Sequence, residues 1–304
     1  MSEKQWGIKA AKSEGEAVRQ RLIRQGFYDR RFKPKSCGDF LIFPLISEEG
    51  SCGRYIFEKN PEKREPARHE LIGGIAVMQE DDLKEAEYLL KSRPVIHTVL
   101  YSKGPVSGEY RTKDFKVLAG ENTTRTNYTE YNCHFAIDLS VAYFSARLAN
   151  ERQRILGLMK ENERVLDMFA GVGPFPVILS QKASVIYAGD INPGAVRLMR
   201  ENITLNRRKN IIPMLCDALN LVDILMPHSF DRIIMNLPMK SSAFLNTAFK
   251  LCKIGGTIHY YTLQSEEGEM QKLLREFTKG EIYERKVRSY SPDRHHAVYD
   301  ICCI

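Results

Sequence analysis

Val-Leu-Asp-Met-Phe-Ala-Gly-Val-Gly-Pro-Phe, at residues 165–175, is the stretch that decides the fold of this chain. An apolar start followed by two close glycines is typical of a buried strand that enters a tight turn and then a helix. Asp190 follows at the end of the next apolar run, where a carboxylate can bind ribose hydroxyls. Because the turn lacks the three-glycine pattern that wraps a pyrophosphate, we expect S-adenosylmethionine as the ligand in preference to NAD.

Apolar, strand-like runs alternate with helical stretches through the second half of the chain. The predicted strands are Arg164–Met168, Val185–Ala188, Ile211–Leu215, Arg232–Met235 and Thr257–Tyr261. Strands that alternate with helices at this spacing are joined by right-handed crossovers and lie parallel to one another. We therefore predict an α/β domain with a mostly parallel sheet over residues 140–304.

The preceding residues predict two smaller modules. Residues 13–25 have the apolar spacing of an amphipathic helix, and Phe40–Pro44 has the composition of a short strand. A stretch rich in proline and charge at 58–70 predicts a linker, so we place the modules at 1–65 and 69–139. In the second module we predict a strand at Leu71–Val77, a helix at Leu83–Leu90, a strand at Val95–Tyr101 and further strands up to residue 139.

Composition argues against several classes of protein. The chain has no apolar run of about eighteen residues, so we expect no membrane span. Its charged N-terminus lacks the apolar core of a secretory signal, and seven scattered cysteines without a CxxC pair predict thiols in a reducing cytosol. The histidines show no paired ligand spacing, so we predict no metal site. We expect a cytoplasmic monomer.

Positive charge gathers near the N-terminus. The chain carries 45 basic and 38 acidic residues, a net charge of +7. Residues 16–35 hold basic side chains with aromatic ones between them, namely Arg19, Arg21, Arg24, Arg30, Arg31, Lys33 and Lys35 with Phe27, Tyr28 and Phe32. This mixture fits a surface that meets a phosphate backbone, although a solvated helix face would also be basic.

Polar side chains follow the first four predicted strands of the α/β domain. Asp167, Asp190 and Asp217 each end an apolar run, at the edge of a parallel sheet where ligands bind. One such aspartate could simply cap a helix, but three in succession favour a ligand site. Asn236 begins an Asn-Leu-Pro motif after the fourth strand, where its amide can bind a planar base while Pro238 fixes the turn.

A series of short motifs occurs in one order along the chain. They are Gly-Glu-Tyr-Arg at 108–111, Leu-Ala-Gly-Glu-Asn at 118–122, Tyr-Phe-Ser-Ala-Arg-Leu-Ala-Asn-Glu-Arg at 143–152, Asp167–Phe175, Asp190–Pro193, Asn236–Pro238 and Gly-Gly-Thr-Ile-His-Tyr-Tyr at 255–261. Together they resemble the archaeal and eukaryotic-type tRNA (guanine-37 N1)-methyltransferases. The resemblance extends from the basic N-terminal helix to Pro292, with Ala146 where the family usually has proline.

The resemblance implies a Rossmann-like class I methyltransferase domain preceded by two small α+β RNA-binding modules. It implies S-adenosylmethionine as cofactor and tRNA as partner, held at the anticodon stem-loop and at the elbow. By matching positions, the implied catalytic residues are Glu151, Arg111 and Asn236, and the implied tRNA-binding residues are Arg111, Arg147, Asn236 and Arg288. The implied cofactor-binding residues are Tyr143, Arg152, Asp167, Phe169, Gly171, Asp190, Ile191, Asp217, Ala218, Asn236, Leu237 and Pro238.

The chemistry of methyl transfer to guanine accounts for these residue types. N1 of guanine must lose a proton before it attacks a sulfonium methyl group, and a desolvated carboxylate such as Glu151 could accept that proton. A guanidinium beside O6, the role implied for Arg111, stabilises the negative charge that forms there. By spacing alone, Glu151 belongs to a solvated helix face and Arg111 pairs with Glu109 or Asp114. Both catalytic roles therefore rest on the resemblance.

Other functions stay open at this point. The aminocarboxypropyl transferase of wyosine synthesis uses the same cofactor but opens a different carbon–sulfur bond, and its branch usually lacks the Asn-Leu-Pro motif. Additional methylation of a tricyclic wyosine intermediate is compatible with every residue above. A non-catalytic RNA-binding protein with a degenerate cofactor fold is disfavoured, because Asp190, Asn236, Glu151 and Arg111 are all intact.

Overall fold

The chain is described in two separate units. A computed structural model describes residues 2–48, 50–60, 67–104, 108, 110, 112–239 and 241–304. The units are Met1–Glu65 and Pro66–Ile304. Within the described ranges, no helix combines the length and the apolar character that a bilayer crossing requires.

The Met1–Glu65 unit is built on an antiparallel sheet. Its elements are β1 (Ser2–Ala11), α1 (Gly15–Arg24), β2 (Lys35–Cys37), β3 (Phe40–Leu45) and β4 (Gly53–Glu58), with strand order β2-β3-β1-β4. Leu22 of α1 packs against Phe43 and Leu45 of β3. The helix predicted at 13–25 and the strand at 40–44 are confirmed. Strand β1 was not predicted, because its largely polar first half hides the alternation of a strand.

The second unit begins with a smaller mixed sheet. Its elements are β5 (His69–Ile72), β6 (Ile75–Met78), α2 (Leu83–Ser92), β7 (Thr98–Ser102) and β8 (Phe115–Gly120), in strand order β5-β6-β7-β8. Helix α2 crosses between the parallel strands β6 and β7, and Asp82 caps its first turn by accepting from two backbone amides. The predicted helix at 83–90 is confirmed, and β7 begins three residues later than expected.

One predicted strand of this sheet is wrong. The run Leu71–Val77 is a hairpin, because Gly73 turns the chain between β5 and β6 with a φ of +56°. A Cβ atom at Gly73 would lie 2.2 Å from the carbonyl oxygen of Asn127, so both the conformation and the space require glycine. A second hairpin follows, formed by β9 (Arg125–Glu130) and β10 (Cys133–Asp138).

The rest of the chain forms a seven-stranded α/β sheet. Its elements are α3 (Ala149–Leu158), β11 (Glu163–Asp167), α4 (Pro174–Leu179), β12 (Ala183–Asp190), α5 (Pro193–Leu205), β13 (Ile211–Leu215), α6 (Leu221–Ile224), β14 (Phe230–Met235), α7 (Leu245–Leu251), β15 (Cys252–Gln264), α8 (Gln271–Leu274), β16 (Ile282–Ser291) and β17 (Arg294–Cys302). The strand order is β13-β12-β11-β14-β15-β17-β16. The first five strands in that order are parallel, and β17 and β16 are antiparallel additions. The expected mostly parallel, Rossmann-like sheet is confirmed, while β16 and β17 were not predicted.

Both faces of this sheet are buried. Val165 and Ile234 belong to the apolar cluster on one face, and Leu166 and Ile233 belong to the cluster on the other. The first cluster continues into the smaller sheet and the second hairpin through Ile72, Ile75, Leu100 and Phe135. The smaller sheet therefore shares its core with the large one.

Candidate active site

A cavity of about 710 Å³ lies at the carboxyl ends of β11, β12, β13 and β14. This is the edge of a parallel sheet where ligands bind, and the volume suits a nucleoside-sized ligand. The predicted cofactor residues on its wall are Tyr143, Arg152, Phe169, Gly171, Asp190, Ile191, Asp217, Ala218, Asn236, Leu237 and Pro238. Of the predicted tRNA-binding residues, Asn236 and Arg288 are also on the wall.

The glycine turn forms the floor between β11 and α4. Gly171 and Gly173 have φ values of +55° and +86°, which side chains other than glycine rarely adopt. Gly173 is the N-cap of α4, and Pro174 occupies the first helical turn. A Cβ atom at Gly173 would lie 2.8 Å from Cγ of Met199, whereas one at Gly171 would meet nothing nearer than 3.8 Å. Gly173 therefore lets α5 approach, and Gly171 leaves space on the cavity side.

Asp190 is held by the backbone at the end of β12. Its Oδ2 accepts a 2.7 Å hydrogen bond from the amide of Gly171, and its Oδ1 accepts one of 2.9 Å from the amide of Asn192. Burial raises the pKa of Asp190, although these backbone bonds oppose the shift. A carboxylate oxygen has two lone pairs, so each oxygen can still accept from a ligand hydroxyl.

Asp167 lies beneath the turn and does not line the cavity. Its side chain is 1% exposed, and Oδ1 accepts a 3.1 Å hydrogen bond from the amide of Phe169. Burial, with a smaller contribution from the negative charge of Asp190, raises the pKa of Asp167 to about 8. Its Oδ2 has no hydrogen-bond partner among the described residues. Asp167 shapes the turn, and its predicted contact with a cofactor stays a prediction.

Asp217 and Asn236 follow the neighbouring strands. Asp217 accepts a 2.9 Å hydrogen bond from the amide of Leu219, so it caps the short 3-10 turn Ala218–Asn220. It also lines the cavity, so capping and ligand binding do not exclude each other at this position. Asn236 lies directly after β14, and the whole Asn-Leu-Pro motif is on the cavity wall.

Glu151 and Arg152 are buried neighbours on α3, so the interpretation of this segment as a solvated face is wrong. Arg152 is 1% exposed and lines the cavity, and two hydrogen bonds of 2.5 Å join its guanidinium to Glu130 of β9. Glu151 is 5% exposed and accepts from Arg154 and from the hydroxyl of Tyr261. Its carboxylate lies behind the cavity wall.

Two side chains near this carboxylate were not predicted. Tyr261 is fully buried on β15, and burial together with the negative charge of Glu151 raises its pKa well above the usual value. Its ring packs 5.6 Å from that of His296, which lines the cavity. Tyr261 belongs to the quoted 255–261 motif, which was the available signal, whereas His296 lies on the unpredicted strand β17.

The predicted tRNA-binding residues are dispersed. Arg288 of β16 lines the cavity, with a buried Nε that has no partner among the described atoms. Arg147 is half-exposed and lies 3.3 Å from Glu70 of β5, away from the cavity wall. Arg111 lies outside the described residues, although its neighbour Tyr110 lines the cavity.

Comparison with known proteins assigns the chain to a family. A model described as the TRM5/TYW2 methyltransferase domain matches residues 126–287, and one described as the tRNA methyltransferase 5 N-terminal domain matches residues 7–51. The tRNA (guanine(37)-N(1))-methyltransferase Trm5b of Pyrococcus abyssi (strain GE5 / Orsay) is 35% identical over an alignment of 327 positions, gaps included, which covers 96% of this chain and 97% of the relative.

Solved structures agree with this assignment. The complex structure of aTrm5 and tRNALeu matches with a TM-score of 0.82 at 29% identity, over 99% of this chain and 100% of that one. The structure of M. jannaschii TYW2 in complex with AdoMet matches with a TM-score of 0.60 at 28% identity, over 77% of this chain and 98% of that one. The chain therefore belongs to the TRM5/TYW2 methyltransferase family.

Proposed function

We propose that this enzyme transfers the methyl group of S-adenosylmethionine to N1 of guanosine 37 in tRNA, next to the anticodon. The observation that carries the proposal is a single cavity joining the glycine turn, Asp190 and the Asn-Leu-Pro motif. The near full-length similarity to a tRNA (guanine(37)-N(1))-methyltransferase supports the choice of substrate. When bound, S-adenosylmethionine supplies a methyl group on a positively charged sulfur.

The described residues fit this cofactor. Asp190 is fixed by two backbone amides and would accept hydrogen bonds from the ribose hydroxyls. The open side of Gly171 leaves room for the ligand where a Cβ atom would otherwise stand. Asp217 would accept from the adenine amino group, and the ring of Tyr143 would lie nearby on the same wall.

We further propose how the enzyme treats the guanine. Asn236 would hold the base edge in line with the methyl group, and the guanidinium of Arg288 on the same wall would attract the polynucleotide. Guanine N1 would give its proton to the carboxylate of Glu151 and attack the methyl carbon, while the sulfur keeps the bonding electrons. Arg111 would stabilise the charge on O6, a role for which the support is the motif match alone.

The Met1–Glu65 unit carries the basic surface that we propose for binding the tRNA elbow. All seven basic residues noted between 16 and 35 are exposed. Among the described residues, Arg21, Arg30 and Lys35 have no carboxylate within ion-pair distance, so their charges are available to phosphates. Of the aromatic residues between them, Phe32 cannot stack on bases, since it is 1% exposed in the core. Phe27 and Tyr28 are half-buried against the cluster that contains Leu22. We propose that residues 69–139 lie along the anticodon arm.

A methyl-transfer assay tests the proposed function. Unmodified tRNA transcripts with G37 or A37 are incubated with cofactor labelled either in the methyl group or in the aminocarboxypropyl group. We expect methyl label in the G37 transcript and almost none in the A37 transcript. Equal labelling of both transcripts, or transfer of the aminocarboxypropyl label, would contradict the proposal. A monomeric state and a cytoplasmic location stay predictions.

A further inference from the structure

A line of paired side chains runs from α3 into the large sheet, behind the cavity wall. Arg154 of α3 donates two hydrogen bonds, of 2.5 and 3.1 Å, to Asp300 of β17. Asp300 accepts a 2.6 Å hydrogen bond from Nδ1 of His259, its cross-strand partner on β15. Nε2 of His259 lies 2.5 Å from the guanidinium of Arg232, which in turn pairs with Glu163.

The neighbours of His259 fix its protonation state. A guanidinium can only donate, so Nε2 must accept from Arg232 while Nδ1 donates to Asp300. Burial lowers the pKa of His259, which agrees with this neutral ring. Burial alone would raise the pKa of Asp300, but the hydrogen bonds from His259 and Arg154 outweigh it and hold that pKa well below its usual range. Asp300 is therefore an anion held from both sides.

Arg154 lies between two carboxylates. Its Nε and one terminal nitrogen donate to Glu151 over 2.7 to 3.1 Å, while its terminal nitrogens also reach Asp300. Oε1 of Glu151 accepts from Nε, from that terminal nitrogen and from Tyr261, whereas Oε2 accepts one hydrogen bond, from Nε. Oε2 is thus the freer oxygen. The charged and titratable side chains in this network around Glu151 are Arg154 of α3, Tyr261 and His259 of β15, Asp300 and His296 of β17, and Arg232 of β14.

We propose that Arg154 and Asp300 are positioning residues for Glu151 in the reaction. The inference rests on the proposed function, which makes Glu151 the acceptor of the guanine proton. When Oε2 takes that proton, Glu151 becomes neutral and its attraction to Arg154 weakens. A buried guanidinium without a partner is strongly unfavourable, but Asp300 stays an anion and keeps Arg154 paired and in place.

The pH dependence of single-turnover methylation tests this arrangement. The full-length enzyme is saturated with cofactor and G37 transcript, and the acidic limb of the rate profile reports deprotonation of the acceptor. Arg154→Met removes the positive charge beside Glu151, so the limb should move to higher pH by about one unit or more. Arg154→Lys keeps the positive charge, so its acidic limb should lie close to the wild-type position. Asp300→Asn removes the second carboxylate paired with Arg154, so the guanidinium interacts with the negative charge of Glu151 alone. The acidic limb should then move to lower pH, and the plateau rate should fall about 10-fold or more because Glu151 becomes a weaker base.

Two controls separate the possible failures. Lys253→Met breaks an ion pair with Asp231 at the far end of β15, and its profile should match that of the wild type. If wild-type enzyme does not methylate G37, the proposed function is wrong, whatever the variants do. If the wild type is active and the Arg154→Met and Arg154→Lys limbs coincide, or Asp300→Asn keeps the wild-type profile, the positioning role is refuted. Melting temperatures show whether each variant is folded at the assay temperature. If Arg154→Met is unfolded there, the profile of Asp300→Asn alone decides the test.

Discussion

The backbone amide of Gly171 donates a 2.7 Å hydrogen bond to Oδ2 of Asp190, which fixes the turn after β11 to the end of β12. Gly171 lies in the turn after β11 and Asp190 ends β12, and these two adjacent parallel strands both end at the cavity. A second amide, from Asn192, holds the other carboxylate oxygen. The carboxylate is therefore already ordered before a ligand arrives, which lowers the entropic cost of binding.

Replacing this carboxylate should weaken cofactor binding. Asp190→Asn keeps the size but exchanges one acceptor oxygen for an NH₂ group, which cannot accept from an amide or a ribose hydroxyl. Hydrogen bonds to charged groups contribute about 1.5–3 kcal/mol, so we expect the Kd for S-adenosylmethionine to rise about 10- to 100-fold by calorimetry. Asp223→Asn, an exposed change on α6, should leave the Kd unaltered. An unchanged Kd in Asp190→Asn would show that Asp190 does not bind the cofactor.

The buried carboxyl of Asp167 should make stability depend on pH. Its pKa is raised from 3.8 when unfolded to about 8 in the native state, so the folded protein binds the extra proton between these values. The contribution is fully present below pH 4 and is lost as pH rises through 8. Relative to Asp167→Asn, the free energy of unfolding of the wild type should fall by about 1.4 kcal/mol per pH unit in this window. Urea unfolding at pH 5, 6 and 7 measures the difference, and parallel pH trends in the two proteins would refute it.

Glu151→Gln should separate chemistry from binding. Glutamine keeps the shape of the side chain and can still accept from Arg154 and Tyr261, but it cannot take a proton from guanine. Removal of a general base typically slows a reaction by about 10²–10⁴-fold, so single-turnover methylation should fall by that factor. The Kd values for cofactor and tRNA should change little. A variant with the full single-turnover rate would show that another group accepts the proton.

The sequence predicted the parallel strands because each is a continuous apolar run bounded by a turn. For Ile211–Leu215 the predicted first and last residues match those of β13, since the polar residues Asn210 and Asp217 bound the apolar run. β16 escaped prediction because charged and apolar side chains mix along it as they would in a loop. Its place at the sheet edge, with β17 inserted beside β15, is a long-range property that local patterns do not encode.

Burial of the charged segment of α3 also depends on distant residues. Arg152 and Arg154 look like solvated side chains until Glu130 and Asp300 supply partners 22 and 146 residues away. The motif match located Glu151, but only the structure shows that its carboxylate shares a guanidinium with Asp300. The double-glycine signal at Gly73 was present in the sequence, and the apolar residues on both sides led to the prediction of one strand.

Removal of Met1–Glu65 should leave the catalytic unit folded and reduce its affinity for tRNA. Residues 67–304 contain the cavity and the apolar clusters on both sheet faces, so they carry their own core. Cofactor affinity should therefore stay near the wild-type value.

The salt dependence of tRNA binding identifies what the unit contributes. Each phosphate contact that is lost should make the plot of log K against log salt shallower by about 0.7–0.9. Filter binding of the truncated enzyme between low and physiological salt measures this slope. The full-length triple variant Arg21→Gln, Arg30→Gln, Lys35→Gln is the matched control, because it removes exposed charges and keeps the fold. A shallower slope in both proteins would assign the phosphate contacts to this basic surface, whereas an unchanged slope in the truncated enzyme would place the tRNA-binding surface entirely within Pro66–Ile304.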